Sequence, residues 1–88
     1  MEAARFFVIG RVQGVGFRAA ARNRARKLGL NGYVSNLADG RVEAFVQGEL
    51  TDIEAFARWL RHGPPLARVD AVQSVDASPK AVDGFGFS

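Results

Sequence analysis

The stretch from Gly10 to Arg18 constrains the fold more than any other part of this sequence. It follows the apolar run from Phe6 to Ile9, which has the double-sided apolarity of a strand inside a sheet, and it leads into an alanine-rich segment with helical spacing. Gly14 and Gly16 allow backbone conformations that other residues rarely adopt. The sequence therefore predicts a strand, a tight glycine-rich turn and a helix that begins near Phe17.

The other apolar patterns continue this unit in the order β-α-β-β-α-β, with a short tail strand. Gly29 is placed to end the first helix in a Schellman-type turn, and Asp39-Gly40 is a hairpin turn pair. The spacing from Thr51 to Glu54 is that of a capping box. The expected elements are strand Arg5 to Val12, helix Phe17 to Leu28, strands Asn31 to Asn36 and Arg41 to Gln47, helix Asp52 to Arg61, strand Arg68 to Asp76 and an edge strand at Phe85 and Phe87. This order predicts an α+β, ferredoxin-like sandwich in which two helices cover one face of an antiparallel sheet.

Length and composition limit the classes of protein that need to be considered. With 88 residues the chain has room for one domain, residues 1–88, and one core. The absence of cysteine excludes disulfides and thiolate nucleophiles, and with His62 as the one histidine no transition-metal site is expected. No apolar run suits a transmembrane helix or an export signal, so we expect a cytoplasmic protein without membrane contact. We also expect a monomer.

Topology predicts that a second polar side chain lies beside the glycine-rich turn. In a β-α-β unit the helix returns the chain, so strands 1 and 2 run in the same direction and end at the same edge. Asn36 is the last residue of strand 2, and residues Gln13 to Arg18 follow strand 1. Free N–H groups at a helix start, together with the forked guanidinium of Arg18, suit a phosphate or a carboxylate. The sequence thus predicts an anion site that combines the turn, Arg18 and Asn36.

Two segments resemble the signatures of the acylphosphatase family. Val8 to Arg18 is similar to the first signature, and Gly32 to Gly48, which includes Asn36, is similar to the second. The resemblance implies the ferredoxin-like fold and hydrolysis of the carboxyl-phosphate bond of acyl phosphates without a cofactor. It implies that Arg18 and Asn36 are catalytic and that the phosphoryl group is bound by Gln13, Gly14, Val15, Gly16, Phe17 and Arg18. Ser35 and Ala19-Ala20 depart from the family pattern, which leaves the rim of the site and the acyl-group preference open.

The two polar side chains limit the chemistry of such a site. Arg18 is a permanent cation and the Asn36 amide cannot accept a proton, so neither is a general acid or base. The carboxylate of an acyl phosphate is a leaving group that departs without protonation. We therefore expect in-line attack on phosphorus by a water that Asn36 orients, while the turn and Arg18 hold the phosphoryl oxygens. We expect no metal requirement, and inorganic phosphate should be both product and inhibitor.

Charge is distributed unevenly along the chain. Residues 5–41 contain eight Lys or Arg and one Asp, whereas residues 42–88 contain four Lys or Arg and seven acids. The basic half contains the predicted site, so its field favours anionic ligands. A second explanation for part of this charge is a solvated helix face, and we expect water to surround Arg22, Arg24, Arg26 and Lys27.

Two other functions are compatible with this pattern of elements. One is an RNA-binding module with Phe7, Ile9 and Phe45 on the open sheet face, although no RNP-like string is present and no nucleic-acid partner is expected. The other is a domain that binds acyl or carbamoyl phosphate, like the acylphosphatase-like module of hydrogenase-maturation carbamoyltransferases. The short, free-standing chain argues against that second function.

Overall fold

The computed structural model describes residues 1–88 and contains two helices and a five-stranded sheet. The elements are β1 Glu2–Arg11, α1 Phe17–Lys27, β2 Asn31–Asn36, β3 Val42–Gly48, α2 Leu50–Leu60, β4 Arg68–Asp76 and β5 Phe85–Phe87. Every element expected from the sequence is present and in the expected order. The ferredoxin-like α+β fold is confirmed.

The sheet has the strand order β4-β1-β3-β2-β5. β3 pairs antiparallel with both β1 and β2, so β1 and β2 run in the same direction on either side of it. β4 pairs antiparallel with β1, whereas β5 pairs parallel with β2. The four main strands therefore form the expected antiparallel sheet, and the short edge strand β5, whose direction the sequence did not predict, makes the whole sheet mixed. The direction of β5 depends on how the chain returns after β4, which local patterns do not specify.

Both helices cover the same face of the sheet, because their apolar side chains belong to one buried cluster with those of the strands. The helical members recur at the spacing of an amphipathic helix and are Phe17, Ala21 and Ala25 in α1 and Ile53, Phe56 and Leu60 in α2. The main sheet members are Phe6, Val8, Val34, Val42, Ala44, Val46 and Phe85. This packing fixes the start of α1 above the ends of β1 and β2. Neither helix has the length and apolar character needed to cross a bilayer.

The opposite face of the sheet is crossed by the segment between β4 and β5. The buried Gln47 side chain donates a hydrogen bond to the Lys80 carbonyl oxygen at 2.8 Å and accepts one from the Lys80 N–H at 2.7 Å. Lys80 Nζ lies 4.8 Å from the ring centroid of Phe45, and Tyr33 stacks on the same ring. Phe45 is fully buried beneath them. It therefore offers no base-stacking surface of the kind that the RNA-binding alternative needs.

The C-terminus of α1 has the predicted Schellman geometry. Gly29 has a φ of 73°, and its N–H donates to the carbonyl oxygen of Arg26. The N–H of Leu30 donates to the carbonyl oxygen of Ala25, and Leu30 is buried in the core. These two bonds and the apolar contact are the features that define the motif.

The N-terminus of α2 differs from the prediction. The helix begins at Leu50, after Glu49, whose side chain makes no capping hydrogen bond. Thr51 lies inside the first turn, so the expected capping box is wrong. A cap contributes about 1 kcal/mol, less than the burial of even one large side chain of the apolar stripe, so packing decides where the helix begins.

Strand β1 also begins earlier than the sequence suggests, at Glu2 instead of Arg5, and ends at Arg11, one residue before Val12. Its first residues pair with β3, with Ala3 opposite Gln47. Alanine has a low strand propensity, and here the pairing with a central strand overrides it.

Candidate active site

The predicted convergence at the ends of β1 and β2 forms a cavity of about 200 Å³. Its lining residues come from the loop after β1, the first turn of α1, the end of β2 and the end of β5. They are Val12, Gly14, Gly16, Phe17, Arg18, Ala19, Asn36 and Phe87. The cavity thus contains both residues that the sequence pairs as catalytic, Arg18 and Asn36, together with three of the other proposed binding residues.

The backbone around this cavity has free hydrogen-bond donors. No N–H group from Gln13 to Ala19 donates a hydrogen bond to another protein atom, and the first helical bond of α1 is made by Ala20 to the Gly16 carbonyl oxygen. The helix has no acidic residue in its first turn and no side-chain cap. Unpaired N–H groups at a helix N-terminus attract anions, and here no carboxylate of the protein neutralises them.

Two glycines give the loop its shape. Gly14 and Gly16 have φ values of 75° and 77°, in the left-handed region where a side chain costs free energy. A Cβ added at either position would meet no atom within 4 Å, so space is not what requires glycine. The requirement is conformational. Successive backbone N–H groups in such a turn form a concave anion-binding surface.

Gln13 and Val15 do not line the cavity, although the sequence places them in the binding loop. Gln13 Nε2 donates hydrogen bonds to the carbonyl oxygens of Leu37 and Arg41, at 2.8 and 3.0 Å. Val15 is partly buried against the core. The side chains of these two residues therefore fix the loop, one to the turn after β2 and the other to the hydrophobic cluster.

Arg18 and Asn36 present free polar groups. Both side chains are exposed, and neither makes a hydrogen bond or an ion pair with another protein group. The Cζ atom of Arg18 lies 5.3 Å from the centroid of the Phe87 ring. The cavity therefore combines a full positive charge, a neutral amide and a row of backbone donors, and none of its lining side chains is an acid or a base that titrates near neutral pH.

The ionisable groups with shifted pKa values lie elsewhere. Arg5 donates to Glu43 at 2.6 Å, which raises the pKa of Arg5. Burial alone would raise the pKa of Tyr33, but hydrogen bonds from Lys80 and Arg5 to its hydroxyl outweigh burial, so this pKa is lower than usual. These groups form a polar network on the sheet face opposite the helices. No group of three or more His, Cys, Asp or Glu side chains is arranged to hold a metal ion.

Three residues of the cavity, Val12, Ala19 and Phe87, are not among the predicted catalytic and binding residues, although Ala19 was expected at the rim of the site. Val12 and Ala19 flank the predicted loop, so proximity in the sequence was a usable signal. Phe87 was expected on an edge strand, and β5 does lie at the sheet edge. No local signal shows that its pairing with β2, with Phe87 opposite Val34, brings the ring to the rim of the cavity.

The expectation that the arginines of α1 face water also needs correction. Arg22 is only partly exposed, and its Cζ atom lies 4.7 Å from the centroid of the Phe87 ring. Arg26 donates from Nε to the Phe85 carbonyl oxygen at 3.1 Å. Both side chains therefore contact β5. Arg26 is nevertheless exposed as expected, like Arg24 and Lys27, so the expectation is wrong for Arg22 alone.

Comparison with known proteins relates this geometry to a family. The sequence profile described as acylphosphatase matches residues 4–87. A curated acylphosphatase of Thermococcus kodakarensis is 49% identical over 78 residues, which cover 89% of this chain and 86% of that protein.

Solved structures of acylphosphatases are also similar to this chain. The acylphosphatase from Bacillus subtilis superposes with a TM-score of 0.96 and 34% identity, and the match covers 100% of this chain and 99% of that one. HypF of T. kodakarensis is also similar, with a TM-score of 0.88 and 39% identity. In that case the match covers 100% of this chain but 12% of HypF, so the likeness is to one segment of a much larger protein.

Proposed function

Because this chain belongs to the acylphosphatase family and is an enzyme with acylphosphatase activity, we propose that the cavity between Arg18 and Asn36 is its active site. The products are a carboxylate and inorganic phosphate. The observation that carries the proposal is the row of unpaired N–H groups from Gln13 to Ala19, which meets the guanidinium of Arg18 in one cavity. A phosphoryl group is the ligand that such a set of donors suits best.

The binding half of the mechanism follows from these donors. Two or three backbone N–H groups of the loop and the forked donors of Arg18 take the non-bridging phosphoryl oxygens. Since the loop is held by Gln13 and Val15 before substrate arrives, little reorganisation is needed when charge develops in the transition state. The positive end of the α1 dipole adds to the same field.

The chemical half uses Asn36 to orient the attacking water. The amide binds the water beside phosphorus, the water attacks in line, and the bond between phosphorus and the carboxylate oxygen breaks. The carboxylate leaves without protonation, and the phosphoryl group of the substrate takes the water proton. Positioning and electrostatic stabilisation then supply the catalysis, because no cavity side chain can shuttle a proton near neutral pH.

Leaving-group dependence tests this mechanism. Benzoyl phosphate and acetyl phosphate should be hydrolysed far faster than an alkyl phosphate, since an alkoxide needs a proton donor that the cavity lacks. p-Nitrophenyl phosphate is a poor comparison, because nitrophenolate also departs without protonation. Phosphate release from benzoyl phosphate, acetyl phosphate and an alkyl phosphate should be measured under the same conditions. An alkyl phosphate hydrolysed as fast as benzoyl phosphate would show that the site contains a general acid and that the mechanism is wrong.

We propose further that the enzyme needs no metal or cofactor and works as a cytoplasmic monomer that binds no nucleic acid. Arg18 and the loop N–H groups stabilise the negative charge of the phosphoryl oxygens, which a metal ion would otherwise do. We also propose that residues 1–88 fold as one domain. One buried cluster with members from both helices and from strands at both ends of the sequence supports that proposal. Light scattering tests the monomer, and a single cooperative unfolding transition tests the domain.

A further inference from the structure

Phe87 connects two arginines at the rim of the cavity. Its ring lies 5.3 Å from the Cζ atom of Arg18 and 4.7 Å from the Cζ atom of Arg22. Both distances are within the range at which a guanidinium is attracted to the face of an aromatic ring. Arg18 and Arg22 are four residues apart in α1, so they are neighbours on the helix surface.

The ring of Phe87 is the one aromatic ring that the guanidinium of Arg18 contacts. Arg18 makes no hydrogen bond or ion pair with another protein group, and its side chain is exposed. A free arginine side chain loses rotamer entropy when it binds a ligand. Contact with a fixed ring removes part of that freedom before the ligand arrives, which improves affinity by preorganisation.

Arg22 lies against the same ring although two effects make this position energetically unfavourable. Its Nε atom is buried and has no hydrogen-bond partner. Like charges four residues apart on a helix also repel each other. The attraction of both cations to one ring offsets part of this cost, so Arg22 is positioned to hold the ring and not to bind a protein acid.

The ring itself is held by the backbone of β5. The strand pairs parallel with β2, and the N–H of Ser88 donates to the Val34 carbonyl oxygen at 3.0 Å. Arg26 adds its bond to the Phe85 carbonyl oxygen on the helix side. Phe87 is nevertheless 48% exposed, so its contribution to the folded core is small.

We propose that Phe87 and Arg22 are positioning residues for Arg18. The ring of Phe87 orients the guanidinium that binds phosphate, and Arg22 orients the ring. This inference rests on the proposed role of Arg18 in phosphoryl binding. It assigns to the last strand a part in substrate affinity, in addition to closing the sheet edge.

The test measures binding of inorganic phosphate by calorimetry, together with KM and kcat for benzoyl phosphate. Phe87→Leu should weaken phosphate binding and raise KM by about two- to fivefold, while kcat changes less than the affinity does. Phe87→Trp should restore wild-type affinity, because an indole face attracts cations at least as well as a phenyl ring. The melting temperature of each variant shows that comparisons are made on folded protein.

Two matched controls separate positioning from general effects. Phe7→Leu removes a ring that lies 4.7 Å from Arg41 on the open sheet face, so it repeats the substitution away from the cavity. Arg24→Gln removes a charge from α1 at a residue that faces Trp59 instead of Phe87. Neither control should alter phosphate affinity when measurements are made in about 0.5 M salt, which screens exposed charges.

The role of Arg22 is tested with a double variant. Arg22→Gln should weaken phosphate binding in the wild-type background and have no further effect in the Phe87→Leu background.

The possible outcomes are distinct. If Phe87→Leu leaves phosphate affinity unchanged and raises KM for benzoyl phosphate alone, the ring contacts the acyl group and the proposal is wrong. It is also wrong if Arg22→Gln and Phe87→Leu weaken binding additively. A wild-type enzyme that binds phosphate but does not turn over benzoyl phosphate would contradict the proposed function, and the phosphate comparison among the variants would still decide the inference.

Discussion

Replacing Gly16 by alanine should weaken phosphate binding without any steric clash. Gly16 is the N-cap of α1, with φ 77° and ψ 18°, and a Cβ there meets no atom within 4 Å. Alanine in this left-handed conformation costs about 1–2 kcal/mol. The chain can either keep this strain or relieve it by rotating the peptide groups that carry the free loop N–H donors.

Gly29 provides a matched control for the same strain. It has a φ of 73°, a Cβ added there would also meet no atom within 4 Å, and it lies at the other end of α1. Gly29→Ala should therefore lower stability by a similar 1–2 kcal/mol, which corresponds to roughly 5–15 °C in melting temperature for a domain of this size. It should leave phosphate affinity at the wild-type value.

Gly16→Ala and Gly29→Ala should differ in their affinity for phosphate. A hydrogen bond to a charged group contributes about 1.5–3 kcal/mol, so misaligning one loop donor in Gly16→Ala should weaken phosphate binding by at least about tenfold. The assay is calorimetric titration with phosphate, with thermal unfolding of both variants recorded in parallel. Wild-type phosphate affinity in Gly16→Ala, or equal losses in both variants, would show that the loop N–H groups do not form the phosphate site.

Four further perturbations test other parts of the site and the fold. Arg18→Lys should lower kcat/KM on the order of a hundredfold, since an ammonium keeps the charge but loses the forked donors; wild-type kinetics would place the anion elsewhere. Asn36→Ala should lower kcat by about 3 kcal/mol of transition-state stabilisation while phosphate still inhibits, and Asn36→Asp should be no better, because its charge repels the phosphoryl oxygens. Activity should persist in EDTA, and loss that Mg²⁺ restores would contradict metal-independent catalysis. The pKa of Tyr33 is lowered in the folded state, so ionisation of this residue should stabilise the fold increasingly as pH rises towards about 10, the usual pKa of tyrosine, and should contribute nothing at neutral pH. The difference in free energy of unfolding between wild type and Tyr33→Phe should therefore increase as pH approaches that value.

The free N–H donors of the proposed anion loop were predictable because they are contiguous in the sequence. Residues from Gln13 to Ala19 include the glycines that shape the turn and the first residues of the helix, so their free N–H groups follow from local rules alone. Asn36 required one additional rule, the common direction of strands 1 and 2. That rule held, because both strands pair antiparallel with β3 between them.

The start of α2 and the direction of β5 could not be predicted in the same way. Local capping signals at Thr51 compete with the burial of Phe56 and Leu60, and only the packed structure shows which effect is larger. β5 is placed after a segment that Gln47 holds against the open face through hydrogen bonds to the Lys80 backbone. A glutamine near the end of a strand gives no sequence signal for a partner that lies so far along the chain.

Gln13 illustrates why the supports of a site are harder to predict than its donors. Its position in the loop suggested a phosphate ligand, yet its amide is bonded to the carbonyl oxygens of Leu37 and Arg41, just beyond Asn36. These bonds join the loop after β1 to the turn after β2, and so they fix the distance between the proposed phosphate donors and the residue proposed to hold water. The groups proposed to touch substrate could be selected from local sequence because their chemistry requires particular residue types. The groups that hold them in place are selected by three-dimensional contacts, which many residue types can make.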